Sequence, residues 1–256
     1  MAVASASTLA GNELTQGHDT GGHARMSTIR SWAAMAAKIP LQPHEFDPGV
    51  LSDDEVEIAV DYCGVCHSDL SMIDNDWGMS VYPLVPGHEV VGRVVALGSH
   101  VPGLYPGQLV GLGWTASSCM HCPYCLGGDQ HLCAAAVPTI VGHRGGFAER
   151  VRSHWAWALP LPEGIRPELA GPLLCGGVTV FNPLLAFEVS LTSRVGIGGI
   201  GGLGHLALRF AHAWGCEVTA FTSSPDKADE ARLLGAHRVI SSRRSDEIAG
   251  IRGELD

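Results

Sequence analysis

Charged residues are scarce in this chain, and basic residues are scarcer than acidic ones. Only 16% of the 256 residues are charged, with 16 Lys and Arg against 26 Asp and Glu, and the formal net charge is −10. A globular protein usually has about 25% charged residues. Without a basic stripe, the electrostatic attraction that drives nucleic-acid binding is missing, and an anionic membrane surface would repel the chain. We therefore expect neither nucleic acid nor membrane as a partner.

Long apolar runs and an export signal are also missing. No uninterrupted run approaches the roughly 18 apolar residues of a membrane-spanning helix. The N-terminal segment has no basic region before its weakly apolar stretch, which argues against a signal peptide. Apolar residues still make up 46% of the chain, enough to form a core. These features predict a soluble, cytoplasmic protein.

Glycine and proline, by contrast, are abundant, with 33 and 15 residues. Residues 1–27 are small and polar, and we expect them to form a disordered tail. Apolar and polar residues then alternate from Glu55, and short apolar runs follow at 89–97, 109–112 and 147–151. Gly and Pro separate these runs, a pattern that is typical of a compact barrel of short strands.

The pattern changes after about residue 160. Helical spacing appears over 170–185, and a strand, a glycine turn, a helix, a strand, a helix and a strand follow up to residue 240. Alternating strands and helices predict a parallel sheet covered by helices. The fold class is therefore α/β plus β.

Four of the eight cysteines form a tight cluster with the spacing C-x2-C-x2-C-x7-C: Cys119, Cys122, Cys125 and Cys133. Short C-x2-C steps let one loop present two thiolates to the same zinc ion. Two disulfides or an iron–sulfur cluster are the alternatives. A closed four-thiolate zinc site has no open position, so we expect it to stabilise a lobe rather than to catalyse.

A second metal site is predicted from three distant motifs. Cys66 lies in CGVCHSD, His88 in PGHEVVG and Cys175 in GPLLCGG. Two thiolates and one imidazole would give zinc three protein ligands and leave a fourth position open for a substrate. Each residue alone is more often a core residue, and Cys63 with Cys66 also matches a redox C-x-x-C pair. We interpret Cys63 as core packing.

A glycine-rich turn predicts a dinucleotide site. Gly199, Gly201 and Gly204 fit G-x-G-x-x-G between a strand and an apolar helix, where the helix N-terminus can bind a pyrophosphate. The next strand ends without the acidic residue that binds the ribose hydroxyl of NAD. Hydroxyls and a cation stand there instead, which suit the 2′-phosphate of NADP: Thr222, Ser223, Ser224 and Lys227. An ordinary polar turn with a solvated Lys is the alternative. Asp226 is the nearby acidic residue that would argue against NADP, but we expect it to point into the next helix.

In this order, the motifs CGVCHSD, YPLVPGHEVVG, the four-cysteine cluster, PLLCGGVT and GIGGLGH make the chain resemble the zinc-containing medium-chain alcohol dehydrogenases. The nearest branch is the cinnamyl-alcohol-dehydrogenase-like aldehyde reductases. The resemblance covers roughly residues 28–256. It implies a GroES-like barrel over 28–178, with the zinc knuckle at 119–133, followed by a partial Rossmann domain over 179–256.

The resemblance also implies roles around the catalytic zinc. Glu89 would join the coordination sphere transiently, and Asp69 would orient the ring of His88. Ser68 would take the proton from the alcohol, and His67 would lie beside the cofactor phosphates. Ser71 stands where the branch often has His; since a hydroxyl cannot store a proton at neutral pH, we expect the relay to continue through water.

Two aromatic residues and one threonine complete the implied site. Trp77 and Trp114 fall at or near substrate-pocket positions, although core packing explains either of them equally well, and Thr179 would pack near the nicotinamide. The resemblance implies reversible hydride transfer between NADP(H) and a primary alcohol or aldehyde, with two zinc ions per chain.

The chain is expected to be a truncated member of the family. Two complete halves of a dinucleotide fold require six strands, and roughly 100 further residues would be needed for them. The full-length family implies a homodimer. An inactive zinc-binding remnant is therefore the alternative function, and a zinc-dependent interaction module is a third.

Overall fold

The computed structural model describes residues 3–5 and 28–256. The chain divides into two compact units, Met1–Leu174 and Cys175–Asp256. The predicted domain boundary between residues 178 and 179 falls inside the first helix of the second unit. Most of the predicted tail over 1–27 lies outside the described residues, but Val3–Ser5 differs from the prediction because it forms a strand.

The first unit is built mainly from short antiparallel strands. They are β1 Val3–Ser5, β2 Ile29–Ala33, β3 Gln42–Phe46, β4 Glu55–Gly64, β5 Val90–Leu97, β6 Leu109–Leu112, β7 Thr115–Ser117, β8 Val137–Pro138, β9 Arg150–His154 and β10 Leu159–Pro160. The main sheet has the order β1-β4-β5-β6-β10, with β9 also paired to β4, and β2–β3 and β7–β8 form two-stranded sheets. The α-helices are α1 His67–Asp74, α2 Pro123–Leu126 and α3 Pro167–Ala170.

Strand β4 organises this unit because it pairs along both edges. One edge pairs with β5, and the other pairs first with β9 and then, over its last three positions, with β1. The predicted alternation places Val56, Ile58 and Val60 in the core. Glu57 departs from the pattern and is also buried, because Arg150 and Arg152 on β9 donate to its two carboxylate oxygens at 2.8 and 2.9 Å.

Two further predicted elements differ from the observed ones. The strand predicted at 147–151 begins only at Arg150. Just before it, the backbone N–H groups of Gly145 and Gly146 donate to carbonyl oxygens of the segment that precedes His88. The predicted helix over 170–185 is interrupted at Cys175, which has non-helical angles of φ −125° and ψ −85°. The chain there forms α3, a 3-10 turn over Gly171–Leu174, and a separate helix.

The second unit is a parallel sheet with helical connections. Its elements are α4 Gly176–Ala186, β11 Arg194–Gly198, α5 Gly202–Trp214, β12 Glu217–Thr222, α6 Ala228–Leu233, β13 Arg238–Ser241 and α7 Ser245–Gly250. The strands run parallel in the order β11-β12-β13. Leu208 and Ala211 of α5 pack on Val218 and Ala220 of β12. This is the predicted strand–helix alternation.

Over the described ranges, no single helix has the length and hydropathy needed to cross a bilayer. Only Pro167–Leu174 and Gly176–Ala186 taken together, across the break at Cys175, pass that test.

Candidate functional site

The structure brings together the metal-ligating atoms of Cys66, His88, Glu89 and Cys175. These atoms all lie within 4.8 Å of one another. Cys66 precedes α1, His88 and Glu89 precede β5, and Cys175 directly follows Leu174, the last residue of the first unit. His88 and Glu89 are fully buried, and the two cysteines are half-buried. Residues separated by more than 100 positions therefore form one group.

Local backbone structure places the Cys66 side chain. Cys66 is the N-cap of α1, and its N–H donates to Asp69 Oδ2 at 3.0 Å. This reciprocal capping arrangement satisfies N–H groups that the first turn of a helix leaves unpaired. Cys175 occupies the equivalent position before α4. Both cysteines thus lie at helix N-termini.

Asp69 connects these elements. Its side chain is buried, and Oδ1 accepts hydrogen bonds from Gly87 N and His88 Nδ1, both at 2.9 Å. An ionised carboxylate can only accept, so Nδ1 carries the proton and Nε2 of His88 keeps its lone pair for a metal. The structure therefore gives Asp69 the geometry expected of a residue that orients a ligating imidazole.

Two glycines lie against Glu89 and a third directly precedes His88, and none of the three was singled out from the sequence. A Cβ on Gly64 would lie 2.0 Å from Glu89 Oε2, and one on Gly171 would lie 2.7 Å from Glu89 O. Gly87 has φ +100°, and a Cβ there would lie 2.6 Å from Phe147 Cδ1 and 2.8 Å from Cys63 Sγ. In the sequence, each of these three glycines could have been noticed inside a short motif: CGVC, PGHE and AGPL.

Aromatic residues pack on the metal group. The Trp114 ring contacts His88 edge-on, with centroids 5.1 Å apart, and Trp77 contacts Trp114 with centroids 6.0 Å apart. Trp77 is 50% exposed, which is unusual for a core aromatic residue. The pair therefore forms an apolar, partly open surface next to His88.

The polar residues predicted around the metal group lie on α1. Ser68 is half-buried, His67 is exposed and Ser71 is buried. Ser68 and Ser71 are three positions apart on the helix, which places them on one face. Cys63 is buried and donates to Gly64 O, and burial raises the pKa of its thiol. Its surroundings are those of a core residue.

The second cysteine cluster has the geometry of a compact four-sulfur site. The thiols of Cys119, Cys122, Cys125 and Cys133 lie within 4.8 Å of one another. All four are unoxidised, and the sulfurs of Cys119 and Cys125 are 3.9 Å apart, far from the ~2.05 Å of a disulfide. Backbone N–H groups of His121 and Cys122 lower the pKa of the Cys119 thiol to about 6. These N–H groups thus stabilise the Cys119 thiolate, the form that binds zinc. In contrast, the N–H of Cys125 is outweighed by burial and hydrogen bonds with the neighbouring thiols, which raise the pKa of Cys122 to about 11.

The glycine turn of the second unit has the shape of a phosphate-binding loop. Gly199 has φ +81°, and Gly201 is the N-cap of α5. A Cβ on Gly204 would lie 2.0 Å from Gly199 O, so this glycine allows the helix to approach the strand. Added Cβ atoms on Gly199 and Gly201 would meet open space. Backbone there is accessible to a ligand, as a pyrophosphate requires.

The turn after β12 lies next to this loop. Lys227 Nζ donates to Ile200 O at 2.9 Å, which ties the ammonium group to the glycine turn. Thr222 is buried, and its hydroxyl accepts from Ser224 N at 3.2 Å, so it shapes the turn. Ser223 and Asp226 are exposed. Thr179, the other predicted cofactor residue, is exposed in the first turn of α4.

Two protein families match the chain. The family described as alcohol dehydrogenase GroES-like domain matches residues 52–163, and the family described as zinc-binding dehydrogenase matches residues 202–255. Aldehyde reductase AdhA from Synechocystis is 55% identical over 228 residues, which are 89% of this chain and 68% of that protein. The chain spans about two thirds of the length of the curated relatives it matches.

Solved structures of cinnamyl alcohol dehydrogenases superpose on this chain. Cinnamyl alcohol dehydrogenase SbCAD4 from Sorghum bicolor superposes with a TM-score of 0.85 at 37% identity, over 90% of this chain and 68% of that one. The cinnamyl alcohol dehydrogenase from Helicobacter pylori, solved in complex with NADP(H), gives 0.78 at 28% identity, over 83% of this chain and 64% of that one. The predicted fold class, a GroES-like barrel with a Rossmann-type unit, is confirmed. The chain belongs to the zinc-containing medium-chain alcohol dehydrogenases, in the cinnamyl-alcohol-dehydrogenase-like aldehyde reductase branch.

Proposed function

We propose that the chain is a zinc-dependent dehydrogenase that transfers hydride between NADP(H) and a primary alcohol or aldehyde. The observation that carries the proposal is the convergence of Cys66, His88 and Cys175 within 4.8 Å, beside Glu89. Three ligands of this type leave zinc an open coordination position, the arrangement found in catalytic rather than structural sites.

Two thiolates and one imidazole suit zinc in size, charge and softness. Zinc held by Cys66, His88 and Cys175 supplies Lewis-acid polarisation of a carbonyl oxygen. Glu89 is buried among the same ligand atoms, so its carboxylate would serve as an alternative ligand. A second zinc ion would be held by the four-cysteine cluster, whose closed donor set suits a structural role.

The chain's own residues would handle the proton. Ser68 lies two positions after the ligand Cys66 and is half-buried, so its hydroxyl can exchange a proton with an alcohol at the metal and with water. Asp69 keeps His88 in the tautomer whose Nε2 lone pair can bind metal. Ser71 follows on the same face of α1 and would extend the path through water.

We propose NADP rather than NAD as the cofactor. The turn after β12 offers the exposed Ser223, with Ser224 and Lys227 close by, and no acidic residue at the end of the strand. The Lys227 ammonium is already held at the glycine turn. A carboxylate there would repel a 2′-phosphate, whereas hydroxyls and a cation attract it. The H. pylori relative was solved with NADP(H), which supports the proposal.

The proposed substrates are small aldehydes and the matching primary alcohols. Trp77 and Trp114 provide an apolar surface next to His88, which suits an aldehyde with an apolar or aromatic side chain. The Synechocystis relative is named an aldehyde reductase, which agrees with this direction of the reaction.

A direct assay tests the proposal. The zinc-loaded chain is mixed with NADPH and a panel of aldehydes, and NADPH oxidation is followed. We expect turnover that Cys175→Ser abolishes, whereas Cys216→Ser, at a cysteine outside both clusters, retains it. Folded, zinc-loaded protein that oxidises no NADPH with any aldehyde would refute the enzyme reading and favour a zinc-binding remnant.

A further inference from the structure

The first unit contains a cavity that the dehydrogenase function does not use. It has a volume of about 190 Å³ and is lined by residues of β2, β3, β4 and β9 and of the segments that follow β3 and β8. Arg144, Arg150 and Arg152 line it together with Glu55 and His143. None of its lining residues belongs to either group of metal-ligating side chains.

The charges around this cavity do not balance. Glu57 accepts from both Arg150 and Arg152, so one carboxylate serves two of the guanidinium groups that line the cavity. Glu55 Oε2 accepts from the backbone N–H of Ser52. Among these residues, three guanidinium groups stand against two carboxylates, Glu55 in the lining and Glu57 bonded to two of the arginines. A positive surplus is unexpected in a chain whose formal net charge is −10.

The excess positive charge around the cavity lies on Arg144. Its guanidinium carbon lies 4.5 Å from the centroid of the Phe46 ring. Across residues 28–256, it forms no salt bridge, in contrast to Arg150 and Arg152. Stacking occupies the flat face of a guanidinium and leaves its in-plane N–H donors available. The aromatic ring therefore holds the Arg144 side chain in place, and the guanidinium N–H groups of Arg144 can donate hydrogen bonds to a ligand.

The neighbouring histidine contributes no charge at neutral pH. Burial lowers the pKa of His143, and its Nδ1 bonds to Thr139 O at 3.2 Å. The cationic character of the cavity thus comes from arginine alone, which stays charged at every relevant pH.

We propose that this cavity binds a small oxyanion, such as phosphate, sulfate or a carboxylate, with Arg144 as its principal donor. Guanidinium groups recognise planar and tetrahedral oxyanions through paired N–H donors. The volume admits an anion of this size together with water. Because Arg144 is exposed, solvent screens the interaction, and we expect a dissociation constant on the order of a millimolar.

Thermal unfolding of the complete chain tests the proposal. Inorganic phosphate, sulfate and acetate are titrated separately at constant ionic strength, with chloride as the reference. We expect a saturable rise in Tm with at least one of the three, and their rank identifies the preferred oxyanion. In Arg144→Gln we expect binding to be weaker by roughly tenfold or more, because a charge-assisted donor is lost.

Two control variants separate this cavity from other anion sites. Arg209→Gln removes an exposed arginine of α5 and should retain the response, whereas Lys227→Gln removes the cation at the glycine turn and reports any separate anion binding there. A response no larger than that of chloride, an unchanged response in Arg144→Gln, or loss only in Lys227→Gln would each overturn the proposal. Should Arg144→Gln unfold, Arg144→Lys keeps the charge without the planar fork, and binding several-fold weaker is expected.

Discussion

Asp69 is the residue on which the geometry of the proposed zinc site depends most. Its two carboxylate oxygens bond Cys66 N, Gly87 N and His88 Nδ1, so one side chain fixes the positions of two prospective ligands. Replacing a buried carboxylate that accepts from three donors costs free energy, because each of these donors would then be left without an acceptor.

Substitution of Asp69 by Asn should weaken zinc binding without removing a ligand. The amide has one acceptor oxygen instead of two, so at least one of the three bonds is lost. We expect zinc affinity to fall by roughly 10–100-fold, as is usual for a residue that orients a ligating histidine. Competition with a coloured chelator measures this. Asp76→Asn, at an exposed carboxylate just after α1, should leave the affinity unchanged.

Ser223 tests the cofactor preference. Ser223→Asp would place a carboxylate at the exposed end of β12, where it can bond a ribose hydroxyl but repels a phosphate. We expect NADPH binding to weaken by about tenfold or more and NADH binding to improve. Fluorescence titration of both nucleotides gives the two dissociation constants. An equal loss for both would contradict the assignment of this turn to the 2′-phosphate.

Glycines at the junctions between elements control how closely those elements approach. Gly87 joins the segment after α1 to β5, with φ +100° and no room for a Cβ. Gly204 lets α5 lie against the turn after β11. Gly87 is required for both conformation and space, whereas Gly204 is required for space alone, and the elements on either side of each carry proposed functional residues.

Gly87→Ala should be strongly destabilising because it combines backbone strain with steric overlap. A non-glycine residue in the left-handed region costs about 1–2 kcal/mol, and the contacts at 2.6 and 2.8 Å add to it. We expect a loss of about 3–5 kcal/mol in the free energy of unfolding, measured with denaturant. Gly49→Ala, with φ +69° and nothing within 4 Å, should lose only the conformational part.

Gly204→Ala and Gly201→Ala should separate folding from cofactor binding. A Cβ at 204 meets Gly199 O at 2.0 Å, so we expect a lower Tm and a displaced glycine turn. A Cβ at 201 meets nothing within 4 Å, so Tm should change little while the methyl group hinders the pyrophosphate. Thermal unfolding and NADPH titration of both variants check this. Unchanged NADPH affinity in Gly201→Ala would contradict the assigned loop.

Taken as a whole, the molecule follows its sequence patterns where contacts are local and departs from them where contacts are distant. Strand β6 lies at the predicted 109–112, and the strand–helix alternation of the second unit follows the predicted order. These features depend on residue periodicity and on Gly or Pro at element ends. The family was predicted from five ordered motifs and is confirmed.

Departures arise where one segment meets another that is remote in sequence. Glu57 is buried because β9 supplies two arginines, and Val3–Ser5 pairs with the part of the β4 edge that β9 leaves open. The helix over 170–185 breaks because Gly171 must pack on Glu89 and because Cys175 adopts a non-helical conformation. The ligand residues were predicted by residue type, but the sequence contained no distance between them.

The most direct test of this account is the zinc content of the whole chain and of three variants. Element analysis of purified protein should give two zinc ions per chain, one for each group of ligating side chains. Cys66→Ser and Cys122→Ser should each retain one, and the double variant should retain none. A wild-type chain with a single zinc ion, or a Cys66→Ser variant that still holds two, would contradict the claim that Cys66, His88 and Cys175 bind one catalytic ion.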